Sequence, residues 1–576
     1  MNKYRPYIRK YWYHFLLGPL FMVLEASGEF ILPYLSANII NNGAANGDIP
    51  YILKTGFYML LIAIMMIVAG VAGANFAIRG SARLAAGIRE DTFRQIQRFS
   101  FSNIDDFSTG SLITRITNDI TQIQNFTQTL LRGFFRSPVM LIGALIMSFS
   151  LNRRLAWVIF IVVPILAAVI AAIIIIASPR YTVMQQKIDR LNNGIEETIT
   201  NERVIKSFVR EEYETKKFYK INDELVKKST SALKMMLLMQ PASALAINFT
   251  TLAVVWFAGK QIMVGEMELG TLTAFITYLS QILTALNFLA NIVLQGTRAA
   301  ASDRRITEVL RADIDLTDED AAFPEKEVAN GSIAFQNVSF RYFKNNSQKV
   351  LDNISLTIEA GETVGIIGST GSGKSTLVSL IPRLYDADEG HILVDGTDVR
   401  DYSLFRLRES VAVVLQKNTL FSGTIAENLR WGAENATQEE MERAAQIAAA
   451  DSFIRTFPKG YETELGQGGV NLSGGQKQRL CIARALLKKP KILILDDSTS
   501  AVDTATESSI RKALRQDMPG ITKIIIAQRI TSVVDADKII VLDEGKIADC
   551  GRHAQLLKDC RPYQEIYYSQ KDKEEA

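Results

Sequence analysis

The hydrophobic residues of the chain are concentrated in its first half, in long runs that contain few charges. Runs that are long enough to cross a membrane as helices lie near residues 14–38, 56–78, 134–151, 155–177, 241–264 and 270–296. The first, third and fifth loops between them carry few Lys or Arg, whereas the second and fourth are long and basic. Because basic loops favour the cytosolic side, the pattern predicts a multi-pass protein of the inner or plasma membrane with both termini in the cytosol.

The two basic loops keep helical periodicity, at residues 82–99 and 188–218. Helices of about 22 residues would extend each span by roughly 33 Å beyond the membrane. Both helical patterns break, at 102–110 and at 208–213. We therefore expect two hairpins whose tips contact another surface in the cytosol.

The second half has the pattern of a soluble α/β domain. Alternating runs at 332–342 and 350–358 predict strands, and short apolar runs at 411–415, 491–497 and 523–528 predict buried parallel strands. The acidic, aperiodic segment that contains Pro324 predicts a linker. The expected domains are a membrane domain at 1–312, a linker at 313–330, an α/β domain at 331–570 and a charged, disordered tail at 571–576.

A glycine-rich turn joins one apolar run to a helical pattern at Thr363–Thr376. Gly368, Gly373, Lys374 and Ser375 match the phosphate-loop pattern G-x-x-x-x-G-K-[ST]. Glycines let the backbone curl until its N–H groups point at phosphate oxygens, and the following helix adds the positive end of its dipole. The turn therefore predicts nucleoside triphosphate binding, with Lys374 at the β/γ-phosphates and Ser375 as a ligand of Mg²⁺.

Two further segments complete this chemistry. Asp496 ends a buried apolar run, the position where ligands collect in open α/β sheets, and predicts a carboxylate that holds Mg²⁺ through water. Residues 471–479 contain two glycines at the start of a helix, and they predict a second anion-binding helix N-terminus. Two such motifs about a hundred residues apart make sense if the second one completes the site of a neighbouring subunit.

With these motifs the chain resembles an ATP-binding cassette (ABC) exporter half-transporter over nearly its whole length. The resemblance implies an α-helical polytopic membrane domain of six helices fused to an α/β P-loop ABC ATPase domain. It also implies ATP and Mg²⁺ as cofactors, two ATP molecules sandwiched between two ATPase domains, and hairpin tips that act as coupling helices. The implied adenine-stacking residue is Tyr342, and Gln416 is the implied Mg²⁺ ligand of the Q-loop. The implied Walker A residues are Gly368, Ser369, Thr370, Gly371, Ser372, Gly373, Lys374, Ser375 and Thr376.

The resemblance extends to the other ATPase motifs. Residues 492–496 resemble Walker B, with Asp496 as a further Mg²⁺ ligand, and 500–503 resemble the D-loop, with Asp503 as its acid. Residues 472–476 resemble the signature, which acts in trans on the partner's ATP through Ser473, Gly474, Gly475 and Gln476.

Three positions depart from the family's pattern. Asp497 stands where hydrolytic members have the Glu that polarises water, Gln528 replaces the switch His, and Gln467 replaces a Glu. Asp is one methylene shorter than Glu, and a misplacement near about 1 Å can cost about 10²-fold in rate. Gln cannot carry the charge of an imidazolium. Neutral drift is the alternative, but the pattern favours the degenerate-site subunit of a bacterial heterodimeric multidrug exporter, whose partner half-transporter supplies Glu and His.

The substrate is the least determined feature. Glu25 and Glu29 lie four residues apart on one face of the first run, so they line a site for a cation, lie at the outer boundary or pair with a basic side chain. A net charge of +3 gives no argument for nucleic acid, and the family implies an amphiphilic, drug-like or lipid-like substrate in contact with the bilayer. Two other interpretations stay open, a homodimeric lipid flippase and an ATP-gated channel or sensor.

Overall fold

The computed structural model describes residues 4–319, 321–342, 348–497 and 502–575. The chain divides into a helical unit, Met1–Gln97 with Thr109–Arg311, and a sheet unit, Arg98–Ser108 with Ala312–Ala576. The segment Arg98–Ser108 contains the tip predicted for the first basic loop. In the sheet unit its Asn103 Nδ2 donates to Asp313 O at 3.0 Å, and its Asp105 Oδ2 accepts from the Tyr385 hydroxyl at 2.8 Å.

Helices account for almost all of the first 310 residues. The α-helices are α1 Arg5–Lys10, α2 Trp12–Asn38, α3 Ile49–Gln97, α4 Phe101–Asp106, α5 Thr109–Thr114, α6 Ile120–Thr129, α7 Arg136–Leu151, α8 Arg153–Thr200, α9 Glu202–Ser207, α10 Glu211–Leu237, α11 Met239–Met263 and α12 Leu269–Leu310. Short π-helical segments join some of them, at Ile39–Ala44, Arg115–Asp119 and Leu130–Phe134.

Four helical stretches within the described residues are long and apolar enough to cross a membrane. They are Trp12–Ala44, Ile49–Gln97, Thr109–Leu151 and Leu269–Leu310, and each contains one of the predicted runs. The remaining predicted runs, 155–177 and 241–264, fall largely in α8 and α11, where several side chains lie outside the part of the chain that is described.

Close approach of small residues packs the helical unit. A Cβ added at Gly133 would lie 1.7 Å from Cε1 of Phe288 in α12, so any larger residue at this crossing would have to displace the Phe288 ring. Small residues let membrane helices approach closely in this way. Nearer the N-terminus of α12, the hydroxyl of the buried Tyr278 donates to the backbone oxygen of Phe30 in α2 at 2.7 Å. These contacts tie α12 to α2 and to the segment before α7.

The sheet unit is built on a mostly parallel sheet. Within the described residues its order is β12-β11-β3-β10-β9-β6, with only β12 antiparallel, beside an antiparallel sheet β2-β1-β4-β5 and a β7-β8 pair. The strands are β1 Ile333–Phe340, β2 Leu351–Ile358, β3 Thr363–Gly368, β4 Glu389–Val394, β5 Thr397–Asp398, β6 Val411–Val414, β7 Gly423–Thr424, β8 Glu464–Leu465, β9 Ile492–Asp496, β10 Thr522–Ile526, β11 Lys538–Asp543 and β12 Lys546–Gly551.

Helices cover this sheet, and the parallel strands are buried on both faces. Every residue of β9 and β10 is buried, as expected for parallel strands between layers. The helices are α13 Lys374–Ser379, α14 Leu404–Ser410, α15 Ile425–Arg430, α16 Gln438–Ile447, α17 Asp451–Ile454, α18 Gly474–Leu487, α19 Thr504–Asp517, α20 His553–Asp559 and α21 Arg561–Glu575.

Strand register brings the carboxyl ends of three central strands together. Ile526 of β10 pairs with Ile366 of β3 on one side and with Asp496 of β9 on the other. Parallel strands end at one edge of a sheet, where ligands bind in open α/β folds. The residues that follow these strands therefore form a common site.

The structure differs from the sequence-based expectation at the end of the chain. The tail expected to be disordered, 571–576, continues α21 as far as Glu575, and Ala576 lies outside the described residues. Lys and Glu are good helix formers, and α21 is already anchored by the buried Tyr563. Propagating an existing helix requires no new nucleus, so the charged composition did not prevent helix formation here.

Candidate functional site

The turn between β3 and α13 has a backbone that only glycine adopts easily. Gly371 has φ +87° and Gly373 has φ +93°, both in the left-handed region where a side chain is strained. At Gly368 an added Cβ would lie 2.1 Å from Leu542 O of the neighbouring strand. The predicted phosphate loop thus forms, and it ends directly at the N-terminus of α13.

Donors converge on this turn. Lys374 Nζ donates to Gly368 O and Ser369 O, both at 2.8 Å. Burial lowers the pKa of Lys374, while the Asp496 and Asp497 carboxylates oppose that shift. Ser372 Oγ is buried without a hydrogen-bond partner among the described residues. A buried hydroxyl, a lysine and a helix N-terminus fit an anion, so the residues present suit a nucleotide phosphate.

Asp496 lies beside the helix that follows the turn. Its Oδ1 accepts from Ser375 Oγ at 3.0 Å, and burial raises its pKa, with that hydrogen bond opposing. Within the described residues there is no cluster of three or more His, Cys, Asp or Glu that could hold a metal on its own. A hydroxyl and one carboxylate are instead the donors typical of Mg²⁺ held partly by substrate phosphates.

Asp497 and Gln528, two of the three departures from the family's pattern, contact each other. Gln528 Nε2 donates to Asp497 Oδ2 at 2.7 Å. Burial raises the pKa of Asp497, and the side-chain amides of Gln416 and Gln528 oppose the shift. Gln528 is itself braced by Gln570 of α21, whose Nε2 donates to Gln528 O at 2.7 Å. Oδ2 of Asp497 therefore already accepts a hydrogen bond from the side-chain amide of Gln528.

Other predicted residues lie around the same edge. Tyr342 is 40% exposed, and its hydroxyl lies 2.9 Å from Thr376 Oγ1. Asp503 caps α19 by accepting from Thr506 N at 2.9 Å, and this bond lowers its pKa. Positions 500 and 501 of the predicted D-loop lie outside the described residues. Tyr342 thus reaches the phosphate loop directly, whereas Asp503 has a local capping role.

The signature forms a separate helix N-terminus. Ser473 caps α18: its Oγ accepts from Gln476 N at 3.3 Å, and Gln476 Oε1 accepts from Ser473 N at 2.9 Å. Leu472 is buried, whereas Ser473 and Gly474 are exposed. Across the described residues, no hydrogen bond or ion pair joins 472–476 to the phosphate loop of the same chain.

The two membrane acids meet an arginine. Arg136 at the start of α7 lies 3.4 Å from Glu25 through its Nε and also pairs with Glu29 through its guanidinium. The sequence left three alternatives open for these acids: a cation site, a place at the outer boundary, or pairing with a basic side chain. In the structure both acids pair with a basic side chain. Glu25 also lines a cavity in the helical unit, together with Arg132, Arg136 and Arg298.

Sequence reasoning did not identify Arg136, Arg132, Arg298 or Gln570 as partners in these sites. A single arginine inside the apolar run 134–151 was a usable signal, because a charge at membrane depth needs a partner. Nothing in the sequence pattern distinguishes Gln570, whose role depends on α21 reaching the loop after β10.

A nucleotide-type phosphate loop on an α/β sheet, joined to helices that are long and apolar enough to cross a membrane, is the combination expected of a membrane protein that uses a nucleoside triphosphate. Two family models match the chain: the ABC transporter transmembrane region over residues 15–286 and the ABC transporter domain over residues 351–500. The chain belongs to the ABC transporter family. The predicted fold class, a helical membrane domain fused to an ABC ATPase domain, is confirmed.

Relatives match over nearly the whole chain. An uncharacterized ABC transporter ATP-binding protein of Bacillus subtilis is 37% identical over 96% of this chain and 95% of its own. The ATP-dependent lipid A-core flippase of Desulfotalea psychrophila is 35% identical over 89% of each chain. The structure of a bacterial Atm1-family ABC exporter with ATP bound superposes with a TM-score of 0.81 at 26% identity, covering 98% of both chains. The chain is thus an ABC exporter half-transporter with an ATP-binding ATPase domain.

Proposed function

We propose that the chain is one subunit of a heterodimeric ABC exporter, in which its own phosphate-loop site binds ATP but hydrolyses it slowly. The hydrogen bond from Gln528 Nε2 to Asp497 Oδ2, 2.7 Å long, carries the proposal. An effective base must lie within hydrogen-bond reach of the attacking water. Asp497 is shorter than Glu and already accepts from an amide, so both its reach and its free lone pairs are reduced.

The signature, unlike the phosphate-loop site, is open to a ligand from another molecule. Ser473 and Gly474 at the N-terminus of α18 are exposed, and they make no hydrogen bond to this chain's own phosphate loop within the described residues. A helix N-terminus that presents N–H groups outward favours an anion supplied by another molecule. We assign Ser473, Gly474, Gly475 and Gln476 to the ATP of a partner half-transporter, which carries Glu and His in its own site.

The same proposal assigns the nucleotide ligands. Gly368 to Thr376 surround the phosphates, Tyr342 stacks on adenine, and Ser375, Gln416 and Asp496 hold Mg²⁺. When bound, Mg²⁺ neutralises charge on the phosphate oxygens. Lys374 supplies a second positive charge, and the N–H groups at the start of α13 orient the phosphates.

The transported substrate is proposed to be an amphiphile moved outward from the cytosolic side, with the sheet unit and both termini in the cytosol. The Desulfotalea relative is named a lipid flippase, which supports a lipid-like rather than a fully water-soluble substrate. We keep the proposed domains as 1–312 for the membrane domain, 313–330 for the linker and 331–570 for the ATPase domain.

The test is ATP hydrolysis by the full-length chain purified without a partner. We expect it to bind a fluorescent ATP analogue and to release phosphate very slowly. Lys374→Ala in the same preparation identifies contaminating ATPase, because contaminant activity survives this substitution. Robust turnover that is lost in Lys374→Ala would show that Asp497 is a competent base and would overturn the proposal.

A homodimeric lipid flippase is the second candidate, and the lipid A-core flippase relative favours it. The two candidates differ in composition. Mass measurement of the complex purified from its native membrane through this chain should give two different half-transporters. If the complex consists of identical chains and transports lipid, the heterodimer proposal is wrong and the homodimeric lipid flippase is the function.

A further inference from the structure

The helical unit contains a polar cavity of about 840 Å³. Residues of α2, α6, the segment Leu130–Phe134, α7 and α12 form its wall. Side-chain amides are the commonest group in that wall: Gln122, Asn125, Gln128, Asn291 and Gln295. A cavity of this size is in the range of small-molecule sites, but its lining is more polar than a purely apolar ligand requires.

The charge of the wall is positive. Among the described residues, Arg132, Arg136 and Arg298 line it, and Glu25 is the single acid. Arg136 is already balanced by Glu25 and Glu29. Arg132 and Arg298 are exposed and have no ion-pair partner in the described part of the chain. The pairing of Glu25 with Arg136 therefore leaves two guanidinium groups to face the cavity, rather than two free carboxylates.

The positions of Arg132 and Arg298 along the chain indicate how deep in the membrane their charges lie. Arg132 comes just before the apolar run that begins at residue 134, and Arg298 comes just after the run that ends at residue 296. Both therefore lie where a span meets the membrane boundary, on the side that basic residues favour. A basic residue that only anchors a helix faces the surrounding lipid, whereas these two line a cavity with amides.

We infer that this cavity binds amphiphiles whose headgroup is anionic, a phosphate or carboxylate, through Arg132 and Arg298. Guanidinium groups bind such oxygens bidentately and more strongly than neutral donors do. The amides suit further hydrogen-bonding groups of the headgroup, because each offers both a donor and an acceptor. The inference deepens the proposed export of amphiphiles and rests on it for its physiological meaning.

Direct binding tests the inference without ATP turnover or a partner. The full-length chain, in nanodiscs of neutral lipid, is titrated with short-chain fluorescent phosphatidylglycerol and, separately, with the matching phosphatidylcholine, which has no net charge. We expect the anionic probe to bind at least about tenfold tighter. Because binding alone is measured, fast hydrolysis or a homodimer would overturn the proposed function and leave this result unaffected.

Charge-removing variants locate the site. Arg132→Gln and Arg298→Gln keep a long hydrogen-bonding side chain, and each should raise the Kd of the anionic probe about tenfold while changing that of the neutral probe less than about twofold. Arg304→Gln is the matched control: Arg304 is also in α12, does not line the cavity, is 86% exposed and pairs with Glu308 at 3.7 Å. Equal affinity for both probes, or equal loss in all three variants, would overturn the inference.

Glu25→Gln distinguishes the anionic site from a cationic one. The substitution releases Arg136 from one of its acids, so it should lower the Kd of the anionic probe by up to about fivefold. If a fluorescent quaternary-ammonium amphiphile binds better than the anionic probe and loses its affinity in Glu25→Gln, the cavity is a cation site and the inference fails.

A competition experiment separates the two sources of the anionic group. Displacement of the probe by millimolar glycerol phosphate supports a site that recognises a water-soluble anion by its headgroup alone. Displacement only by unlabelled phosphatidylglycerol supports a membrane lipid as the ligand.

Discussion

The phosphate loop and the signature are both glycine-containing turns that open a helix, but their surroundings differ. Lys374 of the phosphate loop lies near the carboxylates of Asp496 and Asp497, and the amide of Gln528, which follows another strand, donates to Asp497. The signature turn is capped by its own Ser473 and Gln476 and is exposed. The difference teaches that two similar helix starts have different neighbours: side chains from other strands surround the phosphate loop, whereas the signature turn relies on its own cap.

The largest effect should come from the signature. In the reconstituted heterodimer, Ser473→Ala should reduce steady-state ATP hydrolysis by about 10²–10³-fold, because contacts to a reacting phosphoryl group are typically worth that much per donor. The measurement is phosphate release by the variant complex against wild type.

Ser403→Ala is the control for the loss of a helix cap. Ser403 Oγ accepts from Arg406 N at 3.3 Å at the start of α14, outside the phosphate sites. Both substitutions should lower stability by about 1 kcal/mol, but only Ser473→Ala should slow turnover. If both variants lose turnover equally, the loss in Ser473→Ala comes from a less stable helix and not from a lost phosphate contact. The signature would then have no catalytic role that distinguishes it from an ordinary helix start.

Restoring the family's residues in the phosphate-loop site should have the next largest effect. Asp497→Glu with Gln528→His should raise ATP turnover of the partner-free chain by up to about 10²-fold, because the carboxylate gains the missing reach. Asp497 has φ +47°, a conformation that Asp adopts more readily than Glu, so part of the gain is lost to strain. Single-turnover phosphate release measures it; no gain in the double variant would show that the site is not limited by these two residues.

A smaller effect is expected for Lys374→Ala in the heterodimer. It should weaken nucleotide binding in this chain's own site but reduce steady-state hydrolysis less than Ser473→Ala does, because the proposed function assigns most of the turnover to the partner's site. Nucleotide affinity and phosphate release are measured on the same preparations. Losses of hydrolysis as large as those of Ser473→Ala would mean that the two sites are equivalent or that ATP in this site is obligatory for closure.

The smallest effect concerns stability, and it contrasts two aspartates with nearly the same backbone conformation, Asp497 at φ +47° and Asp395 at φ +48°. Burial raises the pKa of Asp497. Its stabilising contribution is present below the ordinary Asp pKa of about 3.9 and is lost as pH rises through the raised value. At neutral pH the ionised group is therefore destabilising, and Asp497→Asn should raise the melting temperature of the sheet unit.

Asp395→Asn should do the reverse. Burial alone would raise the pKa of Asp395, but hydrogen bonds from the backbone N–H groups of residues 329–332, all between 2.8 and 2.9 Å, hold it below the usual range. Its contribution is present above about pH 3.9 and is lost as pH falls through the lowered value. The neutral variant should cost about 1–3 kcal/mol; thermal unfolding of both variants against wild type at neutral pH checks both signs, and a shift in the same direction for both contradicts the assignment.

The sequence by itself determined the local features of this protein. Gly371 and Gly373 specify left-handed backbone, the run at 491–497 specifies a buried strand that the structure has at Ile492–Asp496, and Ser473 with Gln476 specifies a helix start. Each depends on conformational preferences and hydrogen bonds within a few residues. The order of these motifs along the chain was therefore sufficient to predict the fold class, which the family models confirm.

Only the tertiary structure decided which distant side chains meet. Gln528 reaches Asp497 because β9 and β10 are neighbours in register, and Glu25 and Glu29 meet Arg136 because α2 packs near the start of α7. Charge and residue type allowed several partners for each of these groups, and the sequence pattern ranks none of them. The choice depends on strand order and helix packing, which are set by burial across the whole unit rather than by neighbours in the chain.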